Sequence, residues 1–130
     1  KNIVELHGSA WRLRCDHCEI LIDDFNPKNY NSRKCDNDHW LRPDIVWFND
    51  FLIPAITQKA DEIISKSDLF ISIGTSGAVW PAAGFPQVAR SNGAILIEIN
   101  PEPSEQSGLY DHVFRGKASD MLDAILGNAN

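Results

Sequence analysis

The feature that most constrains this chain's fold is an alternation of apolar runs and helix-length segments in its second half. Leu69–Ile73 and Ala94–Ile99 are almost uninterrupted aliphatic runs, a composition typical of strands that are buried on both faces. Between them, Pro81–Ser91 has the length of a helix and is closed by Gly93. This order predicts an α/β fold with a doubly wound parallel sheet.

Further elements on either side continue this pattern. Apolar residues at helical spacing after Pro54 predict a helix over residues 54–65. His112–Phe114 predicts a short strand, and Ser119 is placed to cap a last helix that runs through Leu126. The second half of the chain is therefore expected to alternate helices with strands of one sheet.

The first third of the chain is predicted to be rich in β-structure. Ile3–Leu6 favours a short strand, and residues 11–15 alternate apolar with charged side chains at the period of a second strand. Residues 23–38 are mostly Asp, Asn, Lys and Ser, which predicts loops that need support from a bound metal. Ile45–Phe48 is predicted to be the strand that returns the chain to the main body.

The three cysteines include a Cys-x-x-Cys pair, which is a candidate for metal ligation. They are Cys15, Cys18 and Cys35. Zinc prefers four ligands and accepts sulfur, nitrogen or oxygen, so His39 or Asp38 could complete the set. His17 is a weaker candidate because it lies between the first two cysteines. The alternative is a module that has lost its metal and retains the thiols as small apolar side chains.

Charge and cysteine content limit the partners and the location of the protein. The 130 residues include 18 acidic and 12 basic side chains, a net charge of −6 that argues against binding to nucleic acid. No apolar run approaches the roughly 20 residues that a membrane span needs, so no membrane partner is expected. An odd number of cysteines favours a reducing compartment, and a cytoplasmic location is predicted.

Two loops that follow predicted strands are candidates for a nucleotide site. Ligands of doubly wound sheets bind beyond the carboxyl ends of the strands, where Gly74-Thr75-Ser76 and Asn100 lie. The first loop offers backbone N–H groups and hydroxyls to a phosphate, and the Asn100 amide can bond ribose hydroxyls. The structural alternative is a tight strand-to-helix turn and a residue that merely ends its strand.

His7 is the candidate catalytic base. An imidazole has a reference pKa of roughly 6.5 and can accept a proton near neutral pH, and Gly8 allows a sharp backbone turn beside it. A lone histidine at a strand end is more often a structural hydrogen-bonding residue. His7 and Gly8 are followed within the next ten residues by the pair Cys15 and Cys18, so a candidate base and candidate metal ligands lie close together in the sequence.

Taken together, these segments resemble the sirtuins, a family of NAD-dependent protein deacylases. The resemblance keeps the family's order over nearly the whole chain. Its motifs are Glu5-Leu6-His7-Gly8 with the cysteine pair, Arg42–Phe48, Gly74-Thr75-Ser76 with Val79, Pro81 and Ala82, Ile99-Asn100-Pro101, and Gly116-Lys117-Ala118.

The resemblance implies a Rossmann-like NAD-binding domain over residues 1–10 and 43–130, with a small zinc-ribbon-type β module at residues 11–42. It also implies a hydrolase or transferase reaction in which NAD and an acyl-lysine protein yield free lysine, nicotinamide and acyl-ADP-ribose. His7 would be the general base that activates a ribose hydroxyl.

The remaining site residues are also implied by the resemblance. The predicted cofactor contacts are Gly74, Thr75, Ser76, Asn100, Pro101, Lys117 and Ala118; the predicted substrate groove is Val46, Trp47 and Phe48; and the predicted zinc ligands are Cys15, Cys18, Cys35 and His39.

The sirtuin half that precedes the catalytic histidine, with its Gly-Ala-Gly and Gln-Asn-x-Asp motifs, does not occur in these residues. We therefore expect the chain alone to be inactive and to need the missing N-terminal half as a partner. Two alternatives stay open. One is a catalytically inactive module that binds ADP-ribose, NAD or a peptide, and the other is an interaction domain held together by a metal.

Overall fold

The computed structural model describes residues 3–23, 26, 28, 33–48 and 50–127, and it divides into two compact units, Lys1–Gln58 and Lys59–Asn130. The elements in chain order are β1 (Gly8–Arg14), β2 (Leu21–Asp23), β3 (Arg42–Ile45), α1 (Pro54–Ile64), β4 (Leu69–Ile73), α2 (Phe85–Ser91), β5 (Ile95–Ile99), β6 (His112–Phe114) and α3 (Ala118–Leu126). The predicted domain boundaries, with residues 11–42 as a separate module, stay a prediction.

The first unit contains an antiparallel sheet with the strand order β2-β1-β3. Its core is formed by Leu13, Cys15, Cys35 and Leu41, all buried. The strand predicted over residues 11–15 is confirmed as β1, which begins earlier, at Gly8, and ends at Arg14. Of the predicted loop at residues 23–38, Asp23 ends β2, and the other described residues lie outside the named strands and helices, apart from a bridge between Lys34 and Trp40.

The strands predicted over residues 3–6 and over Ile45–Phe48 are wrong. Residues 3–6 form no strand, because the chain turns where the Gly8 N–H donates to the Glu5 carbonyl at 3.1 Å. The strand predicted over Ile45–Phe48 lies earlier, as β3. It includes Pro43, which is tolerated because β3 lies at an edge of this sheet, where a missing N–H need not break a ladder.

The second unit confirms the parallel sheet that the apolar runs predict. Its strand order is β4-β5-β6, and both pairs are parallel, with Leu69 opposite Ile95 and Ile97 opposite His112. Ala89 of α2 packs with Ala94 and Leu96, so this helix covers one face of the sheet. Among the described residues, no helix is both long and apolar enough to cross a membrane.

The three predicted helices are confirmed, two of them with a changed starting point. α1 begins at Pro54 as expected, whereas the helix predicted from Pro81 begins as a 3-10 turn, Ala82–Gly84, and becomes α-helical only at Phe85. Pro86 explains this delay, since it has no N–H to donate back to the preceding turn. Ser119 does not cap the last helix, because α3 already starts at Ala118.

Candidate functional site

Three thiols and one imidazole nitrogen of the first unit converge on a single point. The Cys15 and Cys18 sulfurs lie 3.7 and 3.8 Å from the Cys35 sulfur, and His39 Nδ1 lies 3.3 Å from the Cys18 sulfur and 4.0 Å from that of Cys15. All four ligand atoms lie within 4.8 Å of one another. Tetrahedral zinc with Zn–S bonds of about 2.3 Å requires sulfur atoms about 3.8 Å apart. The four groups therefore fit a zinc ion.

Local turns hold these ligands in place. The Cys15 N–H donates to the Ile20 carbonyl at 3.0 Å, which folds the first pair back on itself. At the second corner the Cys35 N–H donates to the His39 carbonyl at 2.9 Å, and the Asp38 N–H donates to the Cys35 carbonyl at 2.9 Å. This tight turn brings Cys35 and His39 to the same point.

The structure distinguishes between the candidates for the fourth ligand. The Asp38 carboxylate is bound by Lys34 Nζ at 2.7 Å, and its side chain is 84% exposed. His17 packs its ring against that of His39, with 4.6 Å between centroids, and is not one of the four converging residues. His39 is therefore the residue that completes the set.

We expect the purified chain to carry about one zinc ion, as a closed four-ligand site does. A His39→Ala variant should lose most of this zinc, because only three ligands remain. His17→Ala is the matched control and should keep it. Elemental analysis of both variants measures the difference, and equal zinc content in the two would contradict the assignment of His39.

His7 lies in the turn before β1 and is exposed. Its carbonyl accepts the Val46 N–H at 3.0 Å, which fixes its backbone against the segment that follows β3. Beside it, Arg12 Nε donates to the buried carboxylate of Asp44 at 2.6 Å, and Arg12 Nη1 reaches Glu5 at 3.0 Å. These ion pairs stabilise the turn that presents the imidazole.

The predicted groove residues follow β3 rather than forming a strand. Trp47 is 52% exposed and Phe48 is 97% exposed. Asp50 closes this turn, since its carboxylate accepts the Trp47 N–H at 3.2 Å and its own N–H donates to the Trp47 carbonyl at 3.0 Å. Val46, Trp47 and Phe48 thus form an accessible aromatic turn, and their role in substrate binding stays a prediction.

All predicted cofactor residues lie at one edge of the parallel sheet in the second unit. Gly74, Thr75 and Ser76 follow β4, Asn100 and Pro101 follow β5, and Lys117 and Ala118 come shortly after β6. The Asn100 amide donates to the Thr75 carbonyl at 2.8 Å, which ties the first two loops together. The carboxyl edge of this sheet therefore collects the residues that the sequence assigned to it, and their contacts with a cofactor stay predictions.

A buried carboxylate supports this edge and was missed by the sequence reasoning. Glu98 of β5 is 1% exposed, accepts hydrogen bonds from the hydroxyls of Ser104 and Ser107, and lies 2.8 Å from Arg115 Nη1. Arg115 also reaches the Asn100 carbonyl at 3.4 Å. The sequence signal for it is that Glu98 is the single charged residue in the apolar run Ala94–Ile99. A carboxylate that is buried with such a strand needs hydrogen-bonding or charged partners.

Comparison with curated proteins identifies relatives with one named activity. An NAD-dependent protein deacylase of Caulobacter vibrioides is 37% identical over 95% of this chain, which corresponds to 52% of the relative. NAD-dependent protein deacylase 2 of Pyrobaculum aerophilum is 38% identical over 95% of this chain and 50% of the relative. The chain spans about half the length of the curated relatives it matches.

Solved structures agree with this relationship. A complex of a Sir2 homologue with NAD matches at a TM-score of 0.91 and 34% identity, covering 97% of this chain and 50% of that one. A mutant Sir2 homologue in complex with 2'-O-acetyl ADP ribose matches at 0.89, also at 34% identity, covering 97% and 51%. The sequence profile described as the Sir2 family matches residues 1–81. The chain therefore belongs to the Sir2 family.

Proposed function

We propose that this chain takes part in the NAD-dependent deacylation of lysine side chains in proteins. The observation that carries the proposal is its agreement, over 97% of its length, with the structure of a Sir2 homologue bound to NAD. The complex of a mutant Sir2 homologue with 2'-O-acetyl ADP ribose supports acyl transfer to a ribose. When bound, NAD would supply the ribose that accepts the acyl group, and nicotinamide would leave from that ribose.

The carboxyl edge of the parallel sheet is suited to the adenosine side of this cofactor. Gly74, Thr75 and Ser76 are exposed, and a Cβ at Gly74 would meet no atom within 4 Å, so a ligand can approach the backbone there closely. Asn100 holds the second loop against the first at 2.8 Å. Preorganised loops of this kind bind without a large ordering cost.

In this proposal His7 is the general base that removes a proton from a ribose hydroxyl. An exposed imidazole on a fixed turn has the access that the role needs, and histidine is the side chain most often used as a general base. The hydrogen bond from the Val46 N–H to the His7 carbonyl supports this role, because it ties the backbone of the base to the segment proposed to bind acyl-lysine. The net charge of −6 favours substrates rich in lysine.

The rest of the reaction needs a polypeptide segment that these residues do not supply. In the curated relatives, about half of the length has no counterpart in this chain. On the sheet face opposite α2, Leu69, Ile71, Ile73 and Ile95 are 48%, 37%, 41% and 52% exposed. We propose that the N-terminal half of the same polypeptide packs on this face.

We also propose that the protein works in the cytoplasm, where its free thiols stay reduced.

The decisive test is His7→Ala in the full-length polypeptide. We expect the rate of NAD-dependent release of acyl groups from a lysine peptide to fall by at least about 100-fold, the usual loss when a general base is removed. His112→Ala, which removes an exposed histidine of β6, is the matched control and should keep the rate. Full activity in His7→Ala would exclude the proposed role.

A second measurement separates catalysis from binding. Calorimetry with ADP-ribose should give the same affinity for His7→Ala and for the unmodified protein, because the base acts after the cofactor binds. If the full-length polypeptide binds ADP-ribose and consumes no NAD with any acyl-lysine peptide, the protein is a binding module and deacylation is excluded.

A further inference from the structure

One arginine contacts both the metal-binding loop and the aromatic turn. Arg42 Nε donates to the Asp16 carboxylate at 2.6 Å, and Asp16 lies between Cys15 and Cys18 in the chain. On the other side of the same guanidinium, Nη2 lies 3.5 Å from the Asp50 carboxylate. Nη1 donates to the Ile45 carbonyl at 2.9 Å, at the end of β3, and to the Pro43 carbonyl at 3.3 Å.

The carboxylates of Asp16 and Asp50 belong to two different loops, the metal-binding loop and the segment after β3. Asp16 is also bound by Arg14 Nε at 2.9 Å, so it is held firmly against β1 and β3. Asp50 accepts the Trp47 N–H at 3.2 Å and so closes the turn that exposes Phe48. A change in either loop therefore moves an anionic partner of the same guanidinium.

The chemistry of the guanidinium matters for this arrangement. Arginine presents several N–H donors in a rigid planar fork, whereas lysine offers a single point charge. Arg42 uses three different nitrogens toward four partners. The side chain thus fixes the direction of both loops relative to the end of β3.

We propose that Arg42 is a positioning residue that couples metal binding by Cys15, Cys18, Cys35 and His39 to the conformation of the aromatic turn, Val46, Trp47 and Phe48. Because such coupling is reciprocal, an ordered turn favours metal binding and a bound metal favours the ordered turn. The consequence for acyl-lysine binding rests on the proposed function, but the coupling does not.

A double-mutant cycle on zinc affinity tests the coupling without any substrate. Asp50→Ala changes none of the four converging residues. It can therefore affect zinc affinity only through the contacts of Arg42 that join Asp50 to Asp16. We expect it to weaken zinc binding about 3-fold, as for a partly exposed ion pair. In an Arg42→Met background the same substitution should have no effect, because the link is already broken.

Arg14→Met is the matched control for this cycle. It removes the other arginine from Asp16, together with a 3.7 Å contact to the Asp44 carboxylate, and leaves the contact between Arg42 and Asp50 in place. In this background, Asp50→Ala should still weaken zinc binding about 3-fold. Competition with a chromophoric chelator measures each dissociation constant. An effect of Asp50→Ala that is equal in the Arg42→Met and Arg14→Met backgrounds, or absent from the unmodified chain, would overturn the proposal.

Kinetics of the full-length polypeptide then separate this proposal from the proposed function. Arg42→Met should raise KM for an acyl-lysine peptide and leave kcat nearly unchanged, since it disturbs the turn and not the base. Asp50→Ala should do the same. If the unmodified polypeptide shows no deacylation, the proposed function fails while the zinc cycle still decides the coupling.

Discussion

Replacing Gly8 by alanine should separate β1 from β3 at the turn that carries His7. The backbone of Gly8 has a φ of +77°, and a Cβ there would lie 2.0 Å from the Asp44 carbonyl oxygen and 3.3 Å from the Ile45 Cα. These are backbone atoms of the paired strand, so they cannot swing away as the end of a side chain can. We expect a loss of about 3 kcal/mol or more in the stability of the first unit, from the clash together with the left-handed backbone.

Gly74 provides the matched control for this substitution. It also has a positive φ, +62°, but a Cβ there would meet no atom within 4 Å. Gly74→Ala should therefore cost only the backbone penalty, about 1 kcal/mol. Amide exchange of β1 and of β4 gives the stability of each unit. A cost for Gly8→Ala no greater than that for Gly74→Ala would show that β3 yields to the added methyl group.

The second large effect is expected from Glu98→Ala in the second unit. This substitution removes a buried carboxylate and leaves the hydroxyls of Ser104 and Ser107, with the guanidinium of Arg115, without their shared acceptor. Breaking a buried pair costs several kcal/mol, and because the Arg115 side chain is 35% exposed we expect about 2 to 3 kcal/mol. Glu102→Ala, at an exposed position nearby, should be nearly neutral in urea unfolding.

The same carboxylate should make the stability of this unit depend on pH. Burial raises the pKa of Glu98, but the bonds from Ser104, Ser107 and Arg115 outweigh burial and hold this pKa below its ordinary value. Such a group stabilises the fold above its unfolded pKa, and this contribution is lost as the pH falls through its folded pKa. Glu98→Gln should therefore flatten the acid limb of the stability curve, and an unchanged limb would contradict this account.

The parallel sheet could be predicted because its signals are local. Leu69–Ile73 has the same bounds in the sequence prediction and in the structure, since the run is continuous and small residues follow it at once. β3 was predicted too late because Pro43 was taken to precede the strand. Whether a proline is tolerated depends on the partner strand and on the sheet edge, and the sequence shows neither.

Part of the candidate site could likewise be predicted from the sequence, and part could not. The cysteine ligands were expected from the Cys-x-x-Cys pair and from the resemblance to the family, but the choice of His39 over Asp38 depends on the turn at Cys35 and on Lys34, which binds the Asp38 carboxylate. The ion pairs of Arg42 and Glu98 were not predicted, because their partners meet only after folding. Sequence patterns report neighbours along the chain, whereas these contacts report neighbours in space.

The position of β4 has a practical consequence for handling this chain. It pairs with β5 and lies at the edge of the sheet that the described residues form. Its Leu69, Ile71 and Ile73 are all at least 37% exposed. A regular edge strand with such side chains is a template for pairing with a second molecule. The chain on its own is thus expected to self-associate as its concentration rises, and binding constants measured on it should be extrapolated to high dilution.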